Sequence, residues 1–378
     1  MNFAHFDTAA FLRDYWQQKP LLIRNPWGTW HNPLSPDELA GLACEDEVES
    51  RLISRTAAEL QAEHGPFPET RLSRLDKGSW TLLVQAVDHH LAEVAALVEP
   101  FRFIPNWRID DVMVSVASDG GGVGPHFDHY DVFLIQGLGQ RRWQLGQLCD
   151  ETTPLLPHDD LRLLADFQPS EEWLLQPGDI LYVPPRVAHN GVAVGENCMT
   201  YSVGFRAPSC AELIEGWSGD VVAGLVDDDR YGDPGLKPQA NPGEISAEAL
   251  ASLHAMVTAK LADRDAFARW FGGYTTTHKY PDIDWSPEEP LDGDELREFL
   301  SEGAALLRNP ASRFSFVRGE AGSLLLFVDG ESYDCTGELG TFAEALCAET
   351  RITGVPDAAI GLALTLFNQG SVAFEPED

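Results

Sequence analysis

The chain has 378 residues, 44% of them hydrophobic and 10% aromatic, which is enough to fill two or three cores and excludes a disordered chain. With 60 Asp and Glu against 26 Lys and Arg, the formal net charge of −34 repels nucleic-acid phosphates, so no direct DNA or RNA binding is expected; it permits a basic protein partner without naming one. Residues 1–16 carry no basic stretch leading into an apolar one, no run of about 20 apolar residues follows, and the six scattered cysteines form no C-x-x-C pair, so a cytoplasmic protein with reduced thiols and no membrane contact is expected.

Phe11, Leu12 and Tyr15 recur at helical spacing within residues 7–17, and Pro20 leads into a strand-like Leu21-Leu22-Ile23. Between residues 110 and 206 short β-type runs alternate with Gly and Pro, at 112–117, 131–136, 142–145, 179–183 and 199–205. Strands so short and so regularly punctuated predict a barrel or sandwich.

After Pro208 the pattern turns helical, over 211–226 and again over 246–262, where Leu250, Leu253, Val257 and Leu261 form one stripe suited to a core or a subunit interface. A stretch rich in Pro, Asp and Glu at 281–290 reads as a linker. A helix over 294–307, a hairpin turning at Asp329-Gly330 and further helix then predict a small α+β module.

Three glycines, Gly120, Gly121 and Gly122, precede His126-Phe127-Asp128 at the expected start of a strand, where side chains two apart share a face. His126 and Asp128 can therefore hold one ion, with a third ligand from another strand; His189, after Pro184-Pro185, is the best candidate. Two imidazoles and a carboxylate on one face of an octahedron leave positions for a chelating cosubstrate and dioxygen.

Alone, H-x-D is a weak signal, and a satisfied core histidine is the commoner case; the β-rich surroundings strengthen it. A 2-oxoglutarate bound there needs a cation for its distal carboxylate, and Arg141 and Arg142 are both available. A two-residue hairpin loop within Gly137-Leu138-Gly139 would turn Arg141 to the ligand face, and a three-residue loop would select Arg142. Ser115 could add a hydroxyl, although a strand serine satisfied by backbone is as good a reading, and His129 has the wrong parity to share the ion. No G-x-S-x-G elbow, Walker loop or H-E-x-x-H helix is present, which removes the commonest hydrolase and nucleotide-binding motifs.

The segments GGGVGPHFDHYDVFLIQGLGQRRWQLG, LQPGDILYVPPRVAH and TYSVGFRAP resemble the JmjC-type bacterial ribosomal oxygenases, and the likeness extends through Trp270-Phe271-Gly272 into the acidic C-terminal module. The resemblance implies an α+β chain: a double-stranded β-helix of the cupin and JmjC kind at 1–207, a helical dimerisation unit at 208–280 and a winged-helix-like module at 281–378. It implies Fe(II) on His126, Asp128 and His189, with 2-oxoglutarate and O2 as cosubstrates. It further implies Arg141 as the anchor of the distal carboxylate, Ser115 as its helper, and a homodimer.

The implied reaction is hydroxylation of an arginine at its β-carbon in large-subunit ribosomal protein sixteen, a basic substrate that fits the acidic charge. Asp119, at the glycine loop, could face that arginine, against the plainer reading of an Asp-Gly turn residue. Rival readings are the same chemistry on a histidine or methyl-lysine, or a non-catalytic metal-binding cupin that serves as a docking protein.

Overall fold

Between Leu21 and Phe205 the β-branched and aromatic runs form nine strands: β1 Leu21–Ile23, β2 Ser50–Arg55, β3 Leu60–His64, β4 Trp80–Val84, β5 Ile109–Ala117, β6 Asp131–Leu148, β7 Glu171–Leu175, β8 Ile180–Val183 and β9 Val187–Phe205. They belong to a computed structural model that describes residues 2–55, 60–75 and 78–375. The strand order is β1-β8-β6-β9-β5-β4-β2-β3, with β7 added to β6. Every pairing is antiparallel, and no β-α-β crossover is needed.

β6 and β9 are the spine of this sheet. Residues 131–136 pair with 200–205, the ladder is interrupted around 137–139, and residues 140–145 then pair with 189–194. The runs at 131–136 and 142–145, expected as separate strands joined by a tight hairpin, are thus one strand with a bulge, and the hairpin does not exist. Gly139, at φ +60°, takes the left-handed conformation that the bulge demands.

That bulge reverses the parity of the strand. Before it Phe133 and Ile135 enter the large core with Phe11, Val114, Tyr182 and Tyr201. Val132 and Leu134, on the other face, share a second core with Trp143, Leu145 and Leu175. Even-numbered residues therefore face the barrel interior ahead of the bulge and odd-numbered ones after it. Each fully buried Phe or Leu in these cores contributes roughly 1.5–3 kcal/mol over exposure, which holds the parity in place.

The contacts divide the chain into two units, the first running to Ala207 and taking in Asn309–Ala311, the second Pro208–Arg308 with the residues from Ser312 onward. In the second, helices at Cys210–Ala223, Ala247–Leu261 and Arg264–Thr276 start at Ser209, Ser246 and Asp263, each accepting first-turn N–H groups. The stripe expected to be core or interface stands in solvent, with Leu250 55% and Val257 60% exposed.

Farther on, β10 Leu306–Arg308, β11 Phe314–Arg318, β12 Leu324–Val328, β13 Glu331–Cys335, β14 Arg351–Ile352 and β15 Val372–Phe374 form two three-stranded sheets around Leu326, Phe342, Leu346 and Leu366. The helix expected over 294–307 spans only Gly293–Ser301, because Gly303 at φ +98° ends it and Leu306 is drawn into β10. β12 and β13 turn at Asp329 and Gly330, both at positive φ, as a two-residue hairpin requires. The helix Arg264–Thr276 joins this module: Arg269 donates to Ser332 Oγ at 2.8 Å and reaches Asp334. Among the described residues no helix is long and apolar enough to cross a membrane.

Candidate metal centre

The glycine loop brings the first ligands into place. Gly120 N–H donates to Ala193 O at 3.0 Å and Ala193 N–H to Gly121 O at 2.8 Å, so the loop runs along β9. A Cβ on Gly121 would come 2.2 Å from Trp80 O, and one on Gly122 2.3 Å from Gly191 O; only glycine fits in that approach. The chain then reaches His126, which exchanges both backbone hydrogen bonds with His189, at 3.0 and 2.8 Å.

His126 and Asp128 do not begin a strand. They lie on an extended segment with a single bridge, His126 to His189. Local extension suffices for the two side chains to share a face, while Phe127 turns away into a cluster with Cys149, Leu164 and Ala188.

Asp128 Oδ2 lies 3.5 Å from His189 Nε2 and 3.9 Å from His126 Nε2, and the ligand atoms of the three residues all fall within 4.8 Å of one another. His126 Nδ1 sits 2.9 Å from Gly124 O and His189 Nδ1 3.0 Å from Val187 O. A carbonyl only accepts, so each Nδ1 carries the proton and each Nε2 presents its lone pair inward. Burial, and then the neighbouring His126, lower the His189 pKa to about 4, which keeps its imidazole neutral and able to ligate.

His189 is buried, whereas the side chains of His126 and Asp128 are 23% and 22% exposed, so the cluster is closed behind and open in front. Tyr130 stands beside that opening, 44% exposed overall, with its hydroxyl end set against Asp128; desolvation there, and then the carboxylate, push its pKa up. His129 packs edge-on against Phe127, ring centroids 5.3 Å apart, outside the ligand cluster.

Arg141 and Arg142 part company because of the bulge. Arg141 is buried, its Nε donating to Cys198 Sγ at 3.5 Å, and its Nη2 finds no partner among the described residues. Arg142 lies half exposed against Glu172 at 3.5 Å. Arg141 is thus the inward residue for a reason other than the expected hairpin.

Ser115 is buried on β5 opposite Leu83 and Thr200, on the face of Ala117, which packs with Ala193 and Cys198. Asp119 is exposed, its Oδ1 accepting from Gly195 N–H at 2.8 Å. Sequence reasoning missed Thr81, Gln136, Trp143 and Thr200, each with a buried polar side-chain atom lacking a partner. Strand parity could have placed Trp143 beside Arg141; nothing in the sequence marks the others.

Two imidazoles and a carboxylate with one side open are the donor set of a mononuclear metal centre in a cupin-type barrel. Iron(II) fits it, and a buried guanidinium with a free donor fits an anionic cosubstrate.

A JmjC domain model matches residues 96–213, a ROXA-like winged helix model residues 259–372, and an AraC-like ligand binding domain model residues 170–270. The chain is 42% identical over 298 residues to the ribosomal protein uL16 3-hydroxylase of Escherichia coli (strain K12), covering 79% of each, and 34% identical over 321 residues to a probable ribosomal oxygenase of Haemophilus influenzae, covering 80% of this chain and 76% of the relative. An X-ray structure of E. coli YcfD aligns at a TM-score of 0.90 and 36% identity, covering 99% of this chain and 100% of that one; YcfD with cobalt and 2-oxoglutarate aligns at 0.87 and 35%, covering 99% of each. The chain belongs to the JmjC-domain ribosomal oxygenases.

Proposed function

We propose that this protein hydroxylates the β-carbon of an arginine side chain in ribosomal protein uL16, using iron(II), 2-oxoglutarate and dioxygen. The reading is carried by one observation: three convergent ligands, open on one side, in the same barrel as the buried, half-unsatisfied guanidinium of Arg141. It is supported by the identity to a relative named ribosomal protein uL16 3-hydroxylase and by the likeness to YcfD with cobalt and 2-oxoglutarate.

Iron with 2-oxoglutarate supplies the oxidising power, placing one oxygen atom of O2 in the substrate C–H bond and the other in succinate, with loss of carbon dioxide. His126, Asp128 and His189 would hold the metal, the two histidines' Nδ1 protons fixed on backbone carbonyls so that neither ring rotates out of place. Arg141 receives the distal carboxylate, Cys198 steadying its Nε, and Ser115 stands on the interior face as its helper. Asp119, held by Gly195 at the loop, offers its second oxygen to the incoming guanidinium.

A net charge of −34 favours a basic ribosomal substrate and disfavours nucleic acid, including for the winged-helix-like module. The helices of 208–280 serve as the dimerisation unit, and the exposed Leu250, Leu253, Val257 and Leu261 stripe is the face that a second copy would cover. A ribosomal substrate supports a cytoplasmic residence.

The test is peptide mass spectrometry of uL16 incubated with the protein, Fe(II), 2-oxoglutarate and ascorbate. The expected product is one added oxygen on the β-carbon of a single arginine, with succinate released. Oxygen on a histidine, or demethylation of a lysine, would replace the substrate but keep the chemistry. Absence of succinate with every ribosomal protein offered would leave a metal-binding docking protein instead.

A further inference from the structure

One buried donor beside the ligand cluster has no part in the chemistry above. Trp143 stands on β6 between Arg141 and Leu145, and Leu145 pairs across the ladder with His189. Its ring centroid is 5.8 Å from that of the His189 imidazole, and the Arg141 guanidinium carbon lies 5.7 Å from the ring. The indole rests on Gly191, where a Cβ would come 2.7 Å from ring carbons, so β9 carries no side chain at the place the ring occupies.

Trp143 is 5% exposed, yet its Nε1 has no acceptor among the described residues. An indole N–H can only donate, and a buried donor left unpaired is rare in a folded protein because its desolvation is uncompensated. The side chains packed around it in this core, Val132, Leu134, Leu145 and Leu175, offer no acceptor. A phenylalanine would put a smaller aromatic ring there without that penalty. A ligand rich in acceptors accounts for the difference, and 2-oxoglutarate, whose five oxygens all accept when it is ionised, is the one the ligand cluster and Arg141 call for.

We propose that Trp143 donates its indole N–H to a carboxylate oxygen of bound 2-oxoglutarate, a contact that rests on the function proposed above and adds a protein anchor to those of Arg141 and Ser115. The test is calorimetric titration of Mn(II)-loaded protein with 2-oxoglutarate, comparing wild type with Trp143→Phe. The variant is expected to bind at least about tenfold more weakly, the size of one hydrogen bond to a charged acceptor, with unchanged Mn(II) affinity. Trp143→His, which keeps a ring N–H, should recover part of the loss.

Equal 2-oxoglutarate affinity in wild type and Trp143→Phe would overturn the proposal while leaving the function intact, as would a loss fully accounted for by weaker Mn(II) binding. Should Trp143→Phe fail to fold, the wild type decides with isotope-labelled tryptophan in the Zn(II) form. One indole N–H resonance should move on adding 2-oxoglutarate and be the one most broadened when Mn(II) replaces Zn(II); an unmoved resonance overturns the contact. No binding of 2-oxoglutarate to the metal-loaded wild type would overturn the proposed function and this contact with it.

Discussion

Each unit sets a histidine against an aspartate, His189 on Asp128 in the first and His278 on Asp329 in the second, and they treat the pair in opposite ways. In the second unit Asp329 Oδ1 accepts from Arg313 N–H at 2.8 Å and Oδ2 accepts from Ser371 Oγ at 2.6 Å, with His278 Nε2 at 3.5 Å, so each carboxylate oxygen has a donor. In the barrel both imidazoles turn their protonated nitrogens to backbone carbonyls and leave Nε2 lone pairs facing Asp128. Acceptors aimed at acceptors repel unless a cation lies between them. A histidine and an aspartate in contact thus signal structure when donors fill the carboxylate and a metal when they do not.

The largest effect that can break this contrast is Asp128→Ala. Losing a ligand should cost more than the roughly 10–100-fold in metal affinity that loss of an outer partner costs, and should abolish hydroxylation; Mn(II) titration and succinate release check both. Next comes Arg141→Ala, which leaves a distal carboxylate unpaired in a dry site and should weaken 2-oxoglutarate binding by roughly 2–5 kcal/mol. Arg142→Ala, at a half-exposed ion pair, should change it by less than about 1 kcal/mol, so equal losses in the two variants would refute the parity argument.

The bulge behind that argument marks the limit of what the sequence discloses. Gly137-Leu138-Gly139 is as compatible with a hairpin turn as with a bulge, and only the ladder with β9 decides between them. Arg141 was therefore indicated by family resemblance while its geometric reason lay hidden, and Trp143, which depends on the same parity reversal, went unnoticed. His126 and Asp128 were legible because a two-residue spacing shares a face in any extended segment, strand or not. His189 was legible through the prolines before it. The stripe Leu250, Leu253, Val257 and Leu261 announced an apolar face correctly, but periodicity cannot say what covers it. Likewise Gly303, which ends its helix early, looks like any loop glycine until Leu306 is seen in β10.

Smaller effects sharpen the comparison. Burial holds the His189 pKa at about 4, below its usual 6.5, so the folded apo-protein refuses a proton that the unfolded chain accepts. Its contribution to stability should therefore be lost as pH falls from about 6.5 towards 4, at about 1.4 kcal/mol per unit. Urea unfolding of apo-protein and of His189→Asn across that range would show the slope in the first and its reduction in the second. Asp329→Ala should lower the stability of the second unit by roughly 1–3 kcal/mol through the donors it strands, and leave Mn(II) and 2-oxoglutarate affinities unchanged.

The most direct trial of the metal centre is a crystal structure of the protein with Mn(II) and 2-oxoglutarate. The account predicts one ion bound by His126 Nε2, Asp128 carboxylate and His189 Nε2, chelated by 2-oxoglutarate whose far carboxylate meets Arg141. A fourth protein ligand closing the coordination shell, or an ion bound elsewhere with these three side chains empty, would contradict it.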